Sequence, residues 1–198
     1  MPNKSVKGTC RPLAALKFSF LIKRFVASLK PSERHAPYRN VGPMSASPPI
    51  EPFQKPPDTL SFGEVRLSFD RVIPGDLSRD FVPMYHFRIL AADGSDVGHI
   101  NFRVGDTGHV RVCAGHIGFE IREQFRGHGY SLQACRAIAP FVRSVFDAVT
   151  ITCDPDNQAS RRTIERLGAS FTDEVPVPEH DPHYQRGSRS KRRYRWIP

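Results

Sequence analysis

A short glycine loop near the middle of the chain has the composition of an anion-binding site. It spans residues 124–129 and reads QFRGHG. Glycines let backbone N–H groups approach a ligand closely, and free N–H groups at the start of a helix attract negative charge. A pyrophosphate group is therefore the natural ligand of such a loop.

The flanking residues predict a strand before this loop and a helix after it. Residues 117–121 alternate apolar side chains with Gly118 and Glu120, which is the period of a strand with one buried face. After the loop, apolar residues recur at spacings of three and four, as on one face of a helix. These residues are Leu132, Cys135, Ile138 and Ala139.

Two well-known phosphate-binding loops do not fit this segment. A P-loop requires Gly-Lys-Ser/Thr and this loop has no lysine, whereas a Rossmann turn requires a third glycine where Leu132 stands. The remaining pattern, Gln-x-x-Gly-x-Gly on a strand-to-helix turn, resembles the acetyl-coenzyme A (acetyl-CoA) loop of the GNAT superfamily of N-acetyltransferases. Glycine pairs also mark ordinary helix starts, which is the simpler interpretation of the loop taken alone.

A second motif strengthens the resemblance. Residues 152–168 read TCDPDNQASRRTIERLG, and they resemble the next GNAT segment, in which a strand ends in an Asp/Asn turn and a helix closes at a glycine. The resemblance covers about residues 60–197. It implies an α/β (α+β) GNAT fold, with a mixed, mostly antiparallel central sheet of about seven strands flanked by helices.

Hydrophobic alternation and turn residues place the expected strands. After the first strand, Pro74, Gly75 and Pro83 leave room for only a short helix. GNAT folds usually have one or two helices at this place, so the helices on the substrate side are expected to be reduced. The predicted strands span residues 64–73, 84–90, 97–104, 116–121, 148–153, 169–177 and 191–197.

The resemblance implies that acetyl-CoA is the co-substrate, and it assigns residues to that molecule. Backbone N–H groups from Arg126 through Tyr130 would bind the pyrophosphate, and residues 119–122 would pair with the pantetheine arm. Gln124 and Arg126 are also ordinary surface residues, and Asn157 could cap the second motif helix as well as hold pantetheine. The expected cofactor-contacting residues are Phe119, Ile121, Arg122, Gln124, Arg126, Gly127, His128, Gly129, Tyr130, Ser131 and Asn157.

Direct transfer to an amine needs a base that removes a proton from the substrate ammonium. Glu120 is the candidate because it is the only acid on the fourth strand; its alternative role is that of a solvated strand carboxylate. Many GNAT enzymes protonate the departing thiolate with a tyrosine seven residues after the motif asparagine, where this chain has Ile164. A related branch that modifies ribosomal proteins has a serine at the place of Ser160, which would be the acid or would merely bond its own helix backbone.

The predicted function is acetyl transfer from acetyl-CoA to a primary amine by direct attack on the thioester. The acceptor is left open between a protein N-terminus, a lysine and small amines. Because Ile164 replaces the usual acid, a catalytically weak CoA-binding regulatory module is the alternative. An RNA-associated module is suggested by residues 186–196, RGSRSKRRYRW, although a strand with exposed arginines explains them equally well.

Net charge divides the chain into two regions. Residues 1–57 contain ten Lys/Arg against two Asp/Glu, whereas residues 58–198 contain 19 against 18. The second region has almost no net positive charge to supply a broad phosphate-binding face, so nucleic acid is not an expected partner. We predict a basic, proline-rich, disordered extension at residues 1–57 and the acetyltransferase domain at residues 58–198.

The extension contains one apolar stretch, residues 13–29, which Lys17, Lys23 and Arg24 interrupt well short of a membrane span. No membrane-spanning segment is expected. The stretch makes a poor signal peptide, and an organelle-targeting or membrane-surface helix is the alternative to an unstructured extension. Such an extension would be translated only if Met1 rather than Met44 is the true start.

Cysteine usage predicts neither a metal site nor a disulfide framework. The four cysteines form no C-x-x-C pair and have no histidine partner at ligand spacing. Two of them, Cys135 and Cys153, lie in apolar patterns and are expected in the core. A reducing compartment, and hence a cytoplasmic location, fits this usage. A homodimer is compatible with the sequence.

Overall fold

The structure is a computed structural model that describes residues 55–198, so the predicted extension lies almost entirely outside the described residues. Its strands belong to one mixed sheet. They span Leu60–Phe62 (β1), Val65–Ile73 (β2), Met84–Leu90 (β3), Asp96–Arg103 (β4), Ile117–Ile121 (β5), Val149–Cys153 (β6), Ser170–Pro176 (β7) and Ser190–Trp196 (β8). The spatial order is β1-β2-β3-β4-β5-β6-β8-β7, and only the β5–β6 pair is parallel.

The predicted fold class is confirmed, and the described part of the chain has eight strands in place of about seven. The unpredicted strand is β1, which is three residues long and therefore too short to show an alternating pattern. It forms a tight hairpin with β2 around Gly63, whose φ angle is 59°. The Glu64 N–H at this turn donates to Gln133 Oε1 at 2.7 Å, which fixes the sheet edge to the following helix.

Within residues 55–198 the strands are accompanied by three α-helices: α1 (Tyr130–Val145), which follows β5, α2 (Gln158–Arg166), which follows β6, and the short α3 (Pro182–Gln185), which follows β7. The predicted limits of α2 are confirmed. Asn157 caps its start by accepting the Ser160 N–H at 3.0 Å, and Gly168, with a φ angle of 83°, follows its end. No helix within residues 55–198 has the length and apolar character needed to cross a membrane.

The core lies between α1 and one face of the sheet. Alternate residues of β3 and β4 point to this face, and Phe141 of α1 packs edge-on against Tyr85 and Phe102 at centroid distances of 4.9 and 5.4 Å. Ile138 and Val142 on the same helix face are fully buried. Burial of this apolar surface is the main force that holds the helix on the sheet.

The opposite face of β2–β5 is polar. The outward positions of the alternating strands carry His86, Arg88, His99 and Glu120. The connection between β2 and β3 contains no helix longer than a 3₁₀ turn, Leu77–Arg79. The expected reduction of the substrate-side helices is therefore seen in the described residues, and it leaves this polar face uncovered by that connection.

Candidate active site

The glycine loop connects β5 to α1 and leaves several backbone donors without a partner. Gly127 and Gly129 have φ angles of 88° and 75°, which glycine adopts without steric cost. The amides of residues 127–132 donate to no acceptor within residues 55–198. The Arg126 amide, in contrast, donates to the Glu123 carbonyl at 3.1 Å. The free donors that could bind a pyrophosphate therefore begin at Gly127, one residue later than predicted.

Open space surrounds both glycines. A Cβ atom added at Gly127 or Gly129 would meet no heavy atom within 4 Å. Their backbone conformation, and not crowding inside the protein, is what requires glycine. The loop also precedes a helix of 16 residues, so the amides lie at the positive end of its dipole. Free donors, open space and a favourable dipole together make this turn suited to an anion.

The side chains of the loop contribute less than its backbone. Gln124 is exposed, and the exposed Arg126 side chain folds back so that its Nε donates to the Ile121 carbonyl at 3.3 Å. The His128 ring stacks on Tyr130 with a centroid distance of 5.6 Å. Each of these contacts is local and serves to shape the loop.

A gap opens between β5 and β6 immediately before this loop. β5 pairs with β4 from Ile117 to Ile121, but it pairs with β6 only at Ile117, which faces Ile151. The β6-facing edge of residues 118–121 therefore has no strand partner in the described part of the chain. Phe119 lies opposite the buried Ile100 of β4 and shares its face of the sheet. Backbone donors and acceptors of β5 therefore line this gap.

Glu120 lines an open depression of about 280 Å³ on the polar face. Its side chain is exposed, and its backbone lies directly across from that of His99. The Arg122 guanidinium also lies on this side, where it pairs with the Asp96 carboxylate at 2.8 Å. Apart from Gly98, the rest of the lining is also polar: Asp70, His86, Arg88, Asp96, His99 and Arg122.

Two histidines give the depression titratable groups that the sequence interpretation missed. The rings of His86 and His99 are 5.1 Å apart, and His86 Nδ1 bonds the Asn101 amide oxygen at 2.7 Å. Burial, followed by the neighbouring His86, lowers the pKa of His99 even though Glu120 acts in the opposite direction. In the sequence, the only local sign of these histidines was that each occupies an outward, polar position in an alternating strand.

The first turn of α2 presents the other predicted catalytic residue. The Ser160 hydroxyl makes no hydrogen bond within residues 55–198, so the predicted bond to its own helix backbone is not formed there. Its neighbour on the next turn, Thr163, bonds Ser131 of α1 across a distance of 3.0 Å. Ile164 is fully buried and has no exchangeable proton, so it cannot replace the usual acid.

The structure corrects the prediction about the cysteines. His109 lies four residues before Cys113, and Asp181 joins them, so that one ligand atom of each lies within 4.8 Å of the others. The statement that no histidine lies at ligand spacing is wrong. The missed signal was H-x-x-x-C, whereas Asp181 lies 72 residues from His109 and has no local signature. Cys135 and Cys153 are buried as expected; burial raises the pKa of the Cys153 thiol to about 11.

The arginine-rich segment near the C-terminus forms β8, as the strand interpretation predicted. The Arg193 guanidinium pairs with the Asp173 carboxylate of β7 at 2.6 Å. Arg192 lies over the Phe171 ring, with its guanidinium carbon 4.4 Å from the ring centroid. These two side chains therefore make contacts between neighbouring strands.

A family model described as an acetyltransferase (GNAT) domain matches residues 47–170. The match includes more than half of the chain and both sequence motifs. The chain belongs to the GNAT acetyltransferase family. This assignment confirms the predicted resemblance, and it makes acetyl transfer the general chemistry of the GNAT domain described above.

Several solved structures resemble this GNAT domain at low identity. RimL, a ribosomal L7/L12 alpha-N-protein acetyltransferase, in complex with coenzyme A, shares 21% identity over 58% of this chain and 62% of that chain, with a TM-score of 0.46. The microcin C7 self-immunity acetyltransferase MccE, in complex with acetyl-CoA and AMP, shares 20% over 58% and 61%, with a TM-score of 0.46.

An acetyltransferase from Salmonella typhimurium that modifies the N-terminal serine of 50S ribosomal protein L7/L12 shares 21% identity over 58% of this chain and 64% of that chain, with a TM-score of 0.45. The GNAT domain therefore spans less than two thirds of the length of each of these three proteins. No curated protein sequence matches the chain significantly.

Proposed function

We propose that this GNAT domain transfers an acetyl group from acetyl-CoA to a primary amine. The family assignment supports acetyl transfer in general. The observation that carries the proposal is the row of unpaired amides at residues 127–132, which follows the unpaired edge of β5 after the short turn at residues 122–126. One extended ligand with an anionic centre and an amide-containing arm fits both features.

Acetyl-CoA would occupy these two features together. Its pyrophosphate accepts hydrogen bonds from the amides of Gly127–Tyr130 at the positive end of α1. Its pantetheine arm lies along residues 118–121 and bonds their backbone as an added strand would, beside Phe119 and Ile121. Ser131, in the first turn of α1, bonds Thr163 of α2, the helix that Asn157 caps, so both residues lie near the starts of neighbouring helices. A free N–H of the strand edge polarises the thioester carbonyl.

The acceptor amine would approach from the depression on the polar face. Asp96 and Asp70 are paired with Arg122 and Arg71, whereas Glu120 has no ion pair within residues 55–198, so Glu120 is the carboxylate that attracts the ammonium group and accepts its proton. The neutral amine then attacks the thioester carbonyl carbon and the C–N bond forms. The nitrogen of the tetrahedral intermediate loses its second proton to solvent, and the C–S bond breaks as the intermediate collapses to the amide. The departing thiolate takes a proton from the Ser160 hydroxyl, which recovers one from solvent.

A panel of amines with thiol release as the readout tests this function. Glu120→Gln keeps the size of the side chain but cannot accept the proton, so we expect kcat/KM to fall by about 10²–10⁴-fold near neutral pH. The difference in kcat/KM between Glu120→Gln and the unsubstituted protein should shrink at high pH, where the amine is already deprotonated in solvent. Glu123→Gln is the matched control, because Glu123 lies beyond the strand and does not line the depression.

Each outcome bears on a separate part of the proposal. Unchanged activity of Glu120→Gln at every pH would remove Glu120 from the mechanism. Ser160→Ala tests the acid in the same assay, with a smaller loss expected because water can replace a hydroxyl as proton donor. If calorimetry detects no binding of acetyl-CoA, the assignment of the amide row fails.

One observation favours a second candidate, a catalytically weak domain that binds coenzyme A and regulates a partner. The position of the usual acid is occupied by Ile164, a fully buried side chain. Under this alternative the protein binds acetyl-CoA but releases no thiol with any amine of the panel. The same two measurements therefore separate the two functions.

A further inference from the structure

A second cluster of reactive side chains lies outside the glycine loop and the depression. It contains His109, Cys113 and Asp181, whose nearest ligand atoms all lie within 4.8 Å of one another. His109 Nδ1 and Asp181 Oδ2 are 2.7 Å apart. Cys113 is 1% exposed and Asp181 5% exposed, so the cluster is almost closed to solvent. Nothing in acetyl transfer uses these three residues.

Each of these side chains offers an atom that could bind a metal ion. The first of them, His109, is fixed by its surroundings. Its backbone N–H donates to the Asp80 carboxylate at 2.9 Å. Its ring packs against Phe81 with a centroid distance of 4.7 Å. The imidazole therefore has one orientation, with Nδ1 directed at Asp181. A ligand that is held in place before the metal arrives loses little entropy on binding.

The other two ligands are held just as firmly. Asp181 Oδ1 accepts the His183 N–H at 2.8 Å, and Oδ2 faces the cluster, where it pairs with His109 Nδ1. Cys113 lies in a π-helical turn, Val110–Ala114, and its carbonyl accepts the Thr152 hydroxyl at 2.7 Å. Such turns are rare and often occur at functional sites. Hydrogen bonds from outside a site that orient its ligands are typical of metal centres.

We propose that His109, Cys113 and Asp181 bind a zinc ion, with water as the fourth ligand. An imidazole, a thiolate and a carboxylate are the three protein ligands that zinc prefers. The two anionic ligands balance the charge of the ion. The nearby Lys191 ammonium does not oppose it strongly, because its Nζ pairs with the Asp154 carboxylate at 2.7 Å.

Binding requires one proton to leave and one to move. The Cys113 thiol releases its proton to solvent as the Zn–S bond forms. The imidazole proton that His109 shares with Asp181 moves to Nε2, so that Nδ1 can bind the ion. The His109 and Asp181 ligand atoms, which are 2.7 Å apart, separate by less than about 1 Å so that both can form bonds of about 2.0–2.2 Å to zinc. The ion then joins the connection before β5 to the start of α3.

The test uses the full chain with Cys10→Ala, which removes the one thiol outside the described residues. The protein is freed of metal with a chelator and titrated with Co²⁺, whose thiolate complex has a charge-transfer absorption band. We expect one equivalent of Co²⁺ to produce the band and Zn²⁺ to remove it. Cys113→Ser should abolish the band, and His180→Ala, an exposed histidine next to the cluster, should keep it.

Two further variants test the other ligands. His109→Gln and Asp181→Asn should each weaken Zn²⁺ binding by more than the roughly 10–100-fold that loss of a ligand-orienting residue costs. Circular dichroism and thermal unfolding in chelator establish that each variant is folded. Absence of the cobalt band in the unsubstituted cluster, or its persistence in Cys113→Ser, overturns the proposal.

X-ray absorption at the zinc edge of the chain with an intact cluster does not depend on any variant folding. One sulfur at about 2.3 Å with nitrogen and oxygen at about 2.0–2.2 Å is the expected shell. A shell without sulfur overturns the site. None of these readouts involves acetyl transfer, so they stand or fall separately from the proposed enzyme activity.

Discussion

The two connections that flank β5 use their backbone in opposite ways. In the connection before it, side chains from elsewhere bond the main chain: Asp80 accepts the His109 N–H, and Thr152 donates to the Cys113 carbonyl. In the connection after it, the amides of residues 127–132 have no acceptor in the described residues. A loop whose donors are satisfied internally serves rigidity, whereas a loop that leaves donors exposed is suited to a ligand.

The largest expected effect comes from substitutions that disfavour the backbone conformation of the connection after β5. Alanine at both Gly127 and Gly129 costs about 1 kcal/mol of stability per site because of the positive φ angles. We also expect the affinity for acetyl-CoA, measured by calorimetry, to fall at least about tenfold, or about 1.4 kcal/mol.

Gly187→Ala is the matched control for this pair. Gly187 has a φ angle of 100° and no heavy atom near its added Cβ, but it lies in the turn between α3 and β8. The control should lose stability and keep its affinity for acetyl-CoA. Equal affinities in the control and the double variant would show that the loop does not grip the cofactor.

The first connection should respond in the reverse manner. Asp80→Ala removes the acceptor of the His109 N–H and places alanine at a φ angle of 64°. We expect the free energy of unfolding in urea to fall by about 1–2 kcal/mol, with the affinity for acetyl-CoA unchanged. Asp80→Asn, which keeps an acceptor oxygen and tolerates this φ angle, should recover most of the loss. A variant that keeps its stability but loses acetyl-CoA would reverse the roles assigned to the two connections.

A pH dependence of stability should arise at the end of the first connection. Burial lowers the pKa of His116, and its Nδ1 accepts the Thr150 N–H at 3.1 Å, which requires an unprotonated nitrogen. Below the ordinary pKa of about 6.5 the unfolded chain binds a proton that the folded chain does not, so stability falls as pH falls.

Between pH 7.5 and 5.5 this group contributes at most about 1.4 kcal/mol. Urea unfolding at the two pH values measures the difference, and His116→Asn should reduce it. The exposed His180→Ala should leave it unchanged. An identical pH dependence in all three proteins would mean that folding does not change the pKa of His116.

The smallest effect concerns a side chain of the second connection. Arg126 is exposed and its Nε donates to the Ile121 carbonyl at 3.3 Å, so the guanidinium is not reserved for binding acetyl-CoA. If the backbone amides of residues 127–132 provide most of the affinity for acetyl-CoA, Arg126→Ala should weaken binding less than threefold, or by less than about 0.6 kcal/mol. Gln124→Ala provides a neutral comparison. A loss above tenfold for Arg126→Ala alone would assign the binding to side-chain charge.

Elements with a strong local pattern were predictable from the sequence. β3 begins and ends at the predicted residues, and β4 begins one residue earlier than expected. Their alternation of apolar and polar residues sets both length and facing. The cap at Asn157 and the glycine that follows α2 were found for the same reason, because cap chemistry acts within a few residues.

Features that depend on distant segments were not predictable. β1 becomes a strand only because β2 and α1 give it partners. The gap beside β5 depends on how far β6 pairs with it, and Asp181 reaches His109 through tertiary folding alone. Neither feature leaves a period or a motif in the chain. For the candidate site, the sequence predicted the glycine loop and the outward position of Glu120, whose catalytic role stays a prediction, but it missed His86 and His99 in the same depression.

Strands β5 and β6 pair at a single residue, so the sheet consists of two halves, β1–β5 and β6–β8. We call the weakly paired boundary between them the seam. A chain cut between α1 and β6 would yield two fragments, each with its own strands and helix. Because acetyl-CoA would lie in the seam, it would favour their association by mass action. The domain is therefore suited to a split reporter in which fragment complementation follows the concentration of the acyl donor.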